Sequence, residues 1–111
     1  MSDFEAISVK DLDWLIHQKN CFLIDLRMPD EYMEKHIKGA VNIPYHRLEN
    51  CRSLPVDMEL VLYCERGSVS MMAARELAEK GYHVKTVVGG IHAYRGKNLE
   101  SFREKGTEFL K

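Results

Sequence analysis

The sequence predicts an α/β domain in which a parallel β-sheet is covered by helices on both faces. Short apolar segments of strand length alternate with segments whose apolar residues recur every three or four positions. This alternation is typical of βαβ units, whose strands run parallel and are buried on both sides. The chain has 111 residues, the length of one domain. No internal repeat or Pro/Ser-rich linker divides it, so we treat 1–111 as a single unit.

The predicted strands are apolar segments that end on polar or turn residues. The clearest is 59–63, which is too short and too apolar to be a surface helix. The other predicted strands are a short one beginning at Ile7 and the segments 22–26, 40–43 and 84–88.

The predicted helices lie between these strands. Ser8 suits the N-cap of a helix from Val9 to about Lys19, in which Leu12, Leu15 and Ile16 form an apolar stripe. Met71 and Met72 open a later helix and are expected to pack in the core or at its rim. The other predicted helices are a short one from Pro29 broken at Gly39, one from Tyr45 to about Arg52, one from Ser70 to Lys80 capped by Gly81, and a helical tail from Ile91. In this tail, a solvated face is expected at Glu100, Arg103, Glu104 and Lys105.

Composition excludes several classes of protein. Apolar residues make up 45% of the chain, enough to form a core, so disorder is not expected. The chain carries 16 basic and 17 acidic residues, a balance that disfavours nucleic acid or an anionic membrane as a partner. Neither a membrane-spanning run nor the layout of a signal peptide is present. The sequence therefore predicts a soluble cytoplasmic domain.

The chain has three cysteines, Cys21, Cys51 and Cys64. The odd number and the absence of a C-x-x-C pair disfavour both a disulfide framework and a zinc site. Cys21 precedes a strand and Cys51 follows a helix, so both are expected to be packing thiols. The alternative is that one of them resolves a disulfide with Cys64.

Cys64 stands in the loop between the clearest strand and a predicted helix. Ligands of parallel α/β folds bind outside the carboxyl ends of the strands, where this loop lies. The dipole of the following helix favours the thiolate, and the loop N–H groups can form an anion nest. Gly67 permits the positive φ that such a turn needs, and Arg66 supplies a charge that attracts an anionic donor. These features predict a nucleophilic cysteine; the alternative is a buried structural thiol.

The chain resembles a known family, the single-domain rhodaneses, across nearly its whole length. The matching segments, in the expected order, are 7–8 with Leu12, 23–27, 30–32, 36–37 with 39–40, 42–44, the cysteine loop, Leu77 with 81–82, and 88–90 followed by 93–94. The resemblance implies a five-stranded parallel sheet with helices on both sides. It also implies that Cys64 takes sulfane sulfur from a donor, holds it as a persulfide and passes it to a nucleophilic acceptor, without metal or organic cofactor.

The resemblance also assigns roles within the loop. Backbone amides of residues 65–70 (Glu65, Arg66, Gly67, Ser68, Val69 and Ser70) would hold the persulfide. Arg66 would assist the approach of the donor, and the hydroxyl of Ser68 or Ser70 would donate a hydrogen bond.

Two features of the loop bear on the substrate. Related phosphatases and arsenate reductases place Arg six residues after the cysteine, where this chain has Ser70, so phosphatase chemistry is disfavoured. The commonest bacterial loop has a basic or polar residue directly after the cysteine and often Arg in its sixth position; this chain has Glu65 and Val69. Glu65 would repel a dianion such as thiosulfate, which favours a protein-borne or neutral persulfide donor. Tyr94 in place of the usual Trp is interpreted as a packing change.

Several residues outside the loop were weighed for a role. Asp25 and Arg27 follow a strand at the same edge as Cys64 and are expected to form an ion pair; the resemblance suggests that the pair also supports the cysteine loop. His36, His46 and His92 are expected to be surface or structural residues, because no histidine adjoins Cys64 in sequence.

The leading hypothesis is a sulfurtransferase whose donor and acceptor are small molecules or proteins. One alternative is a regulatory module whose Cys64 loop binds a partner without turnover, which the Glu65 departure motivates. Another is a redox sensor that pairs Cys64 with Cys21 or Cys51.

Overall fold

The structure, a computed structural model, describes residues 3–102. Its elements, in chain order, are β1 (Glu5–Ile7), a 3₁₀ turn (Val9–Asp11), α1 (Leu12–Leu15), β2 (Cys21–Asp25), α2 (Pro29–Glu34), β3 (His36–Ile37), β4 (Val41–Asn42), α3 (Tyr45–Leu48), β5 (Glu59–Tyr63), α4 (Ser68–Glu79), β6 (His83–Val87), a 3₁₀ turn (Ile91–Ala93) and β7 (Leu99–Glu100). Five strands form one parallel sheet in the order β1–β6–β5–β2–β4. The predicted five-stranded parallel sheet is confirmed.

The central strand β5 explains why helices cover both faces of the sheet. Alternate side chains of a strand point to opposite faces. Leu60 and Leu62 pack in the layer that holds α3 and α4, whereas Val61 and Tyr63 pack in the layer that holds α1. All four side chains are fully buried, so the sheet separates two apolar layers, as predicted.

The first helix is shorter than the sequence predicts. Ser8 does cap it, since its side chain accepts the N–H of Lys10, but residues 9–11 form a 3₁₀ turn and only Leu12–Leu15 is α-helical. The N–H groups of His17 and Gln18 bond three residues back, to Trp14 and Leu15. These bonds tighten the last turn and reverse the chain into β2.

A small second sheet was not predicted. Helix α2 ends at Glu34 rather than at Gly39, and β3 pairs antiparallel with β7, His36 opposite Glu100. The prediction of a helical tail from Ile91 therefore holds only for the 3₁₀ turn Ile91–Ala93 and is wrong for Glu100, which lies in a strand. Both strands are only two residues long, too short for sequence periodicity to show. The tail residues Arg103, Glu104 and Lys105 lie outside the described residues.

Helix α4 begins at Ser68, two residues before the predicted start at Ser70. It packs through Ala73, Ala74 and Leu77. Met71 and Met72 lie on its outer side and are 40% and 48% exposed, so they do not pack in the core. Within residues 3–102, no helix is long and apolar enough to cross a membrane.

Candidate functional site

The sulfur of Cys64 lies where β5 ends and α4 begins. It accepts hydrogen bonds from the backbone N–H of Gly67 at 3.1 Å and of Ser70 at 3.4 Å. Gly67 is the N-cap of α4 and Ser70 belongs to its first turn, so both donors are among the N–H groups that a helix start leaves without intrahelical partners. The helix start therefore directs two N–H donors and the positive end of its dipole at the sulfur.

The turn after β6 forms the floor of the cysteine loop. The N–H groups of Ile91 and His92 donate to the carbonyls of Cys64 and Glu65, each at 3.0 Å. A Cβ at Gly90 would lie 2.4 Å from the Cys64 carbonyl oxygen, so only glycine permits this approach. Gly67 has the predicted positive φ, +106°, and its backbone packs against Gly89. Gly89 and Gly90 directly follow the predicted strand 84–88 in the sequence, but sequence alone does not show that they contact the cysteine loop.

Ser70 supports the loop through its hydroxyl. That hydroxyl is fully buried, donates to the carbonyl of Gly67 at 3.2 Å and accepts from Thr86 Oγ1 at 2.8 Å. It therefore holds the loop to β6 and is not directed at a ligand. Ser68 is exposed, so its hydroxyl is the one of the two that a ligand can reach. Thr86, on strand β6, has a contact that sequence analysis missed.

Arg27 connects the end of β2 to the cysteine loop. Its guanidinium lies 3.0 Å from the buried Asp25 carboxylate and 3.2 Å from that of Glu65, and it also donates to the carbonyl of Lys35. Burial lowers the pKa of Arg27, but the hydrogen bonds and charge of Asp25 outweigh burial and raise the pKa overall. The ionic partner of Glu65 is therefore Arg27 and not Arg66, which is exposed.

Two further residues order the same edge of the sheet. Asn42 donates from its side-chain amide to the carbonyls of Asp25 and Arg27, at 3.0 and 2.9 Å. The Tyr63 hydroxyl accepts the N–H of Ile37 at 2.9 Å. Burial and the charge of Asp25 raise the pKa of Tyr63, so its hydroxyl stays neutral.

A comparison with known families shows which family this chain belongs to. The family model for the rhodanese-like domain matches residues 8–97. The chain belongs to the rhodanese family. It is 31% identical to the thiosulfate sulfurtransferase GlpE of Shewanella oneidensis over 88% of this chain and 99% of that protein.

Other rhodanese relatives differ in length. A tRNA sulfurtransferase of Desulfurococcus amylolyticus is 37% identical over 73% of this chain, which spans only 16% of that protein. A solved structure of a rhodanese-related protein from Thermoplasma volcanium is 27% identical, with a TM-score of 0.75 over 93% of this chain and 94% of that one.

The other cysteines of this rhodanese domain are free thiols. Cys21 is half-buried, and burial, together with the charge of Glu59, raises its pKa. Cys51 is partly buried, with its sulfur 3.8 Å from the Ser53 hydroxyl.

The histidines of the rhodanese domain differ in position. His36 is buried and its Nδ1 lies 2.6 Å from the carbonyl of Tyr32, a structural contact. His46 and His92 are exposed, although the backbone of His92 contacts the loop. Among residues 3–102, no cluster of three or more His, Cys, Asp or Glu side chains could hold a metal ion.

Proposed function

We propose that this rhodanese is a sulfurtransferase that carries sulfane sulfur as a persulfide on Cys64. The observation that carries the proposal is the convergence of two backbone N–H groups, from Gly67 and Ser70, on the Cys64 sulfur at the start of α4. The name of the Shewanella relative, a thiosulfate sulfurtransferase, supports the same activity.

The reaction consists of two displacements at sulfur. The Cys64 thiolate attacks the sulfane sulfur of the donor; an S–S bond forms to Cys64, and the donor leaves as sulfite from thiosulfate or as a thiolate from a persulfide. A nucleophilic acceptor then attacks the outer sulfur, that S–S bond breaks, and Cys64 leaves as a thiolate. No external oxidant or reductant is needed.

The residues in and beside the loop have different roles in these two steps. Amides of residues 65–70 hold the charged outer sulfur, as the amides of Gly67 and Ser70 hold Sγ in the resting loop. Arg66 and the Ser68 hydroxyl are exposed and contact the incoming donor, with Val69 at the rim. Asp25 and Arg27 act as positioning residues, because Arg27 reaches the loop through Glu65.

The ionic group next to Cys64 favours a donor whose reacting sulfur group carries little negative charge. Asp25, Arg27 and Glu65 form one ionic group with two carboxylates and one cation, so the group carries a net negative charge beside the sulfur. Arg66 offsets it from the solvent side. A persulfide with one charge or none is therefore preferred over the thiosulfate dianion.

The test is intact-mass measurement after incubation with thiosulfate or with a low-molecular-weight persulfide. We expect the wild type to gain the mass of one sulfur atom and to lose it on addition of cyanide. Cys64→Ser should gain nothing, whereas the matched controls Cys21→Ser and Cys51→Ser should behave as the wild type. A gain that survives in Cys64→Ser contradicts the assignment, and no gain with either donor favours a binding module.

A further inference from the structure

We propose that the outer side of the first turns of α4 is the docking surface for a protein that exchanges sulfur with Cys64 and presents its own cysteine among apolar and acidic side chains. The surface, called here the α4 surface, consists of Met71, Met72 and Arg75 on the helix with Arg66 and Val88 beside it. The inference rests on the proposed function of Cys64 and adds the chemistry of its partner.

Helix geometry places this surface beside the sulfur. Residues 68, 71, 72 and 75 lie on one side of an α-helix, and they are the exposed residues of the first two turns of α4. The N–H of Ser70, directly before Met71, donates to the Cys64 sulfur. Val88 begins the turn whose next residue, Gly89, packs against Gly67. The α4 surface therefore borders the cysteine loop.

The apolar part of the surface is exposed. Met71 is 40% exposed, Met72 48% and Val88 53%. Methionine is flexible and polarisable, so exposed methionines suit a surface that packs against a partner. These three exposed side chains border the same loop, unlike the single exposed apolar residues scattered over a protein surface.

The charge of the surface selects the partner. Arg66 and Arg75 are exposed, and neither takes part in any of the salt bridges found among residues 3–102. Two of the nearby carboxylates are engaged elsewhere: Glu65 pairs with Arg27, and Glu76 accepts the Tyr45 hydroxyl. Two unpaired guanidinium groups beside apolar side chains complement a partner with carboxylates around its cysteine.

The position of the cavities favours a protein over an enclosed small molecule. A cavity of about 470 Å³ lies between α3 and α4, and another of about 280 Å³ lies between α2 and the turn after β6; neither is lined by Cys64. Cys64 itself is only 5% exposed, so a partner that presents its own cysteine meets the sulfur at the rim of the loop and covers it.

The experiment measures sulfur transfer from the Cys64 persulfide to three cysteine pentapeptides and to cyanide. In the leucine–glutamate peptide, the cysteine lies between two leucines, with a glutamate at each end. The leucine–lysine peptide has lysines at the ends instead. The serine peptide has serines in place of the leucines and glutamates at the ends. The protein variants are Arg75→Glu and the double variant Met71→Ser with Met72→Ser. The matched controls are Arg52→Glu and Val56→Ser, which change exposed residues before the amino end of β5.

Each peptide is compared between variants, so its intrinsic thiol reactivity cancels. Arg75→Glu should slow transfer to the leucine–glutamate peptide about fivefold and speed transfer to the leucine–lysine peptide by a similar factor. The methionine double variant should slow transfer to both leucine peptides about tenfold and leave the serine peptide unchanged. Transfer to cyanide should be the same in all variants, and both controls should match the wild type.

The outcomes separate this inference from the proposed function. If Cys64 does not load with sulfur, the proposed function is wrong. If it loads but the α4 variants transfer to all three peptides at the wild-type rate, or slow cyanide as much as peptides, the docking surface is wrong and the sulfurtransferase remains.

Discussion

Two groups of charged side chains in this protein each have one cation between two carboxylates, but they lie in different surroundings. In one, Arg27 stands between Asp25 and Glu65; in the other, Lys85 stands between Glu59 and Glu5. The Arg27 side chain is 7% exposed and Asp25 is fully buried, whereas the Lys85 side chain is 22% exposed and Glu5 64%. One group lies at the carboxyl edge of the sheet beside Cys64, and the other joins three neighbouring strands, β1, β6 and β5.

The difference shows that burial makes an ion pair hold its residues, and the loop they contact, in a fixed position. A buried carboxylate without its cation is costly, so Asp25 and Arg27 hold each other in one geometry. The planar guanidinium also has enough donors to reach Glu65 and the Lys35 carbonyl at the same time. Lys85 is a point charge near solvent, where its pairs add little to stability.

Removing the buried carboxylate should have the largest effect. Asp25→Asn leaves the buried Arg27 without its closest negative partner, and we expect the free energy of unfolding to fall by about 3–5 kcal/mol. Urea denaturation measures it. The matched change in the other group, Glu59→Gln, should cost no more than about 1 kcal/mol. Equal losses in the two variants would contradict the comparison.

Replacing each of the two cations by the other type, Arg27→Lys and Lys85→Arg, tests the same difference between the buried and the exposed group. Arg27→Lys keeps the charge but cannot make the contacts to Asp25, Glu65 and the Lys35 carbonyl together, so we expect a loss of about 2 kcal/mol. The rate of loading of Cys64 should fall as well, because the loop loses its tie to β2. Lys85→Arg should change stability by less than about 0.5 kcal/mol and leave loading unchanged. A loading rate unaffected by Arg27→Lys would show that Arg27 does not position the loop.

Neutralising the partly exposed member of the buried group tests donor selection. Glu65→Gln removes one negative charge near Cys64, so the KM for thiosulfate should fall about fivefold at low salt, and added salt should reduce the difference. The KM for an uncharged persulfide should stay the same. If both donors respond alike, Glu65 acts through the shape of the loop and not through its charge.

The smallest expected effect comes from pH. Burial, the largest influence, lowers the pKa of Lys85, but hydrogen bonds and charges of Glu59 and Glu5 outweigh it and raise the pKa above 10.5. A raised folded-state pKa contributes stability below the unfolded pKa, and this stability is lost as pH rises through the folded value. The difference in stability between wild type and Lys85→Met, below about 1 kcal/mol, should therefore vanish between about pH 9 and about pH 12. A difference that persists at the upper pH would mean that packing, not charge, is the contribution of Lys85.

Local patterns were sufficient for the main elements of the fold. Strand 59–63 was predicted with its observed bounds, and Gly67 was predicted to have a positive φ, because both follow from neighbouring residues alone. Helix α1 was predicted too long, since the apolar stripe continues to Ile16 while the chain already turns toward β2. The pairing of β3 with β7 could not be predicted, because it joins segments more than sixty residues apart through two residues each.

The sequence by itself determined the cysteine loop: a cysteine after an apolar strand, a glycine at the turn and a helix start whose N–H groups face the sulfur. Only the tertiary structure decided which residues hold that loop. Gly90 forms its floor, Thr86 binds Ser70, and Arg27 rather than Arg66 pairs with Glu65. The physical reason is distance along the chain. The loop's shape depends on neighbours in sequence, whereas its supports come from adjacent strands that only the folded sheet brings within hydrogen-bond reach.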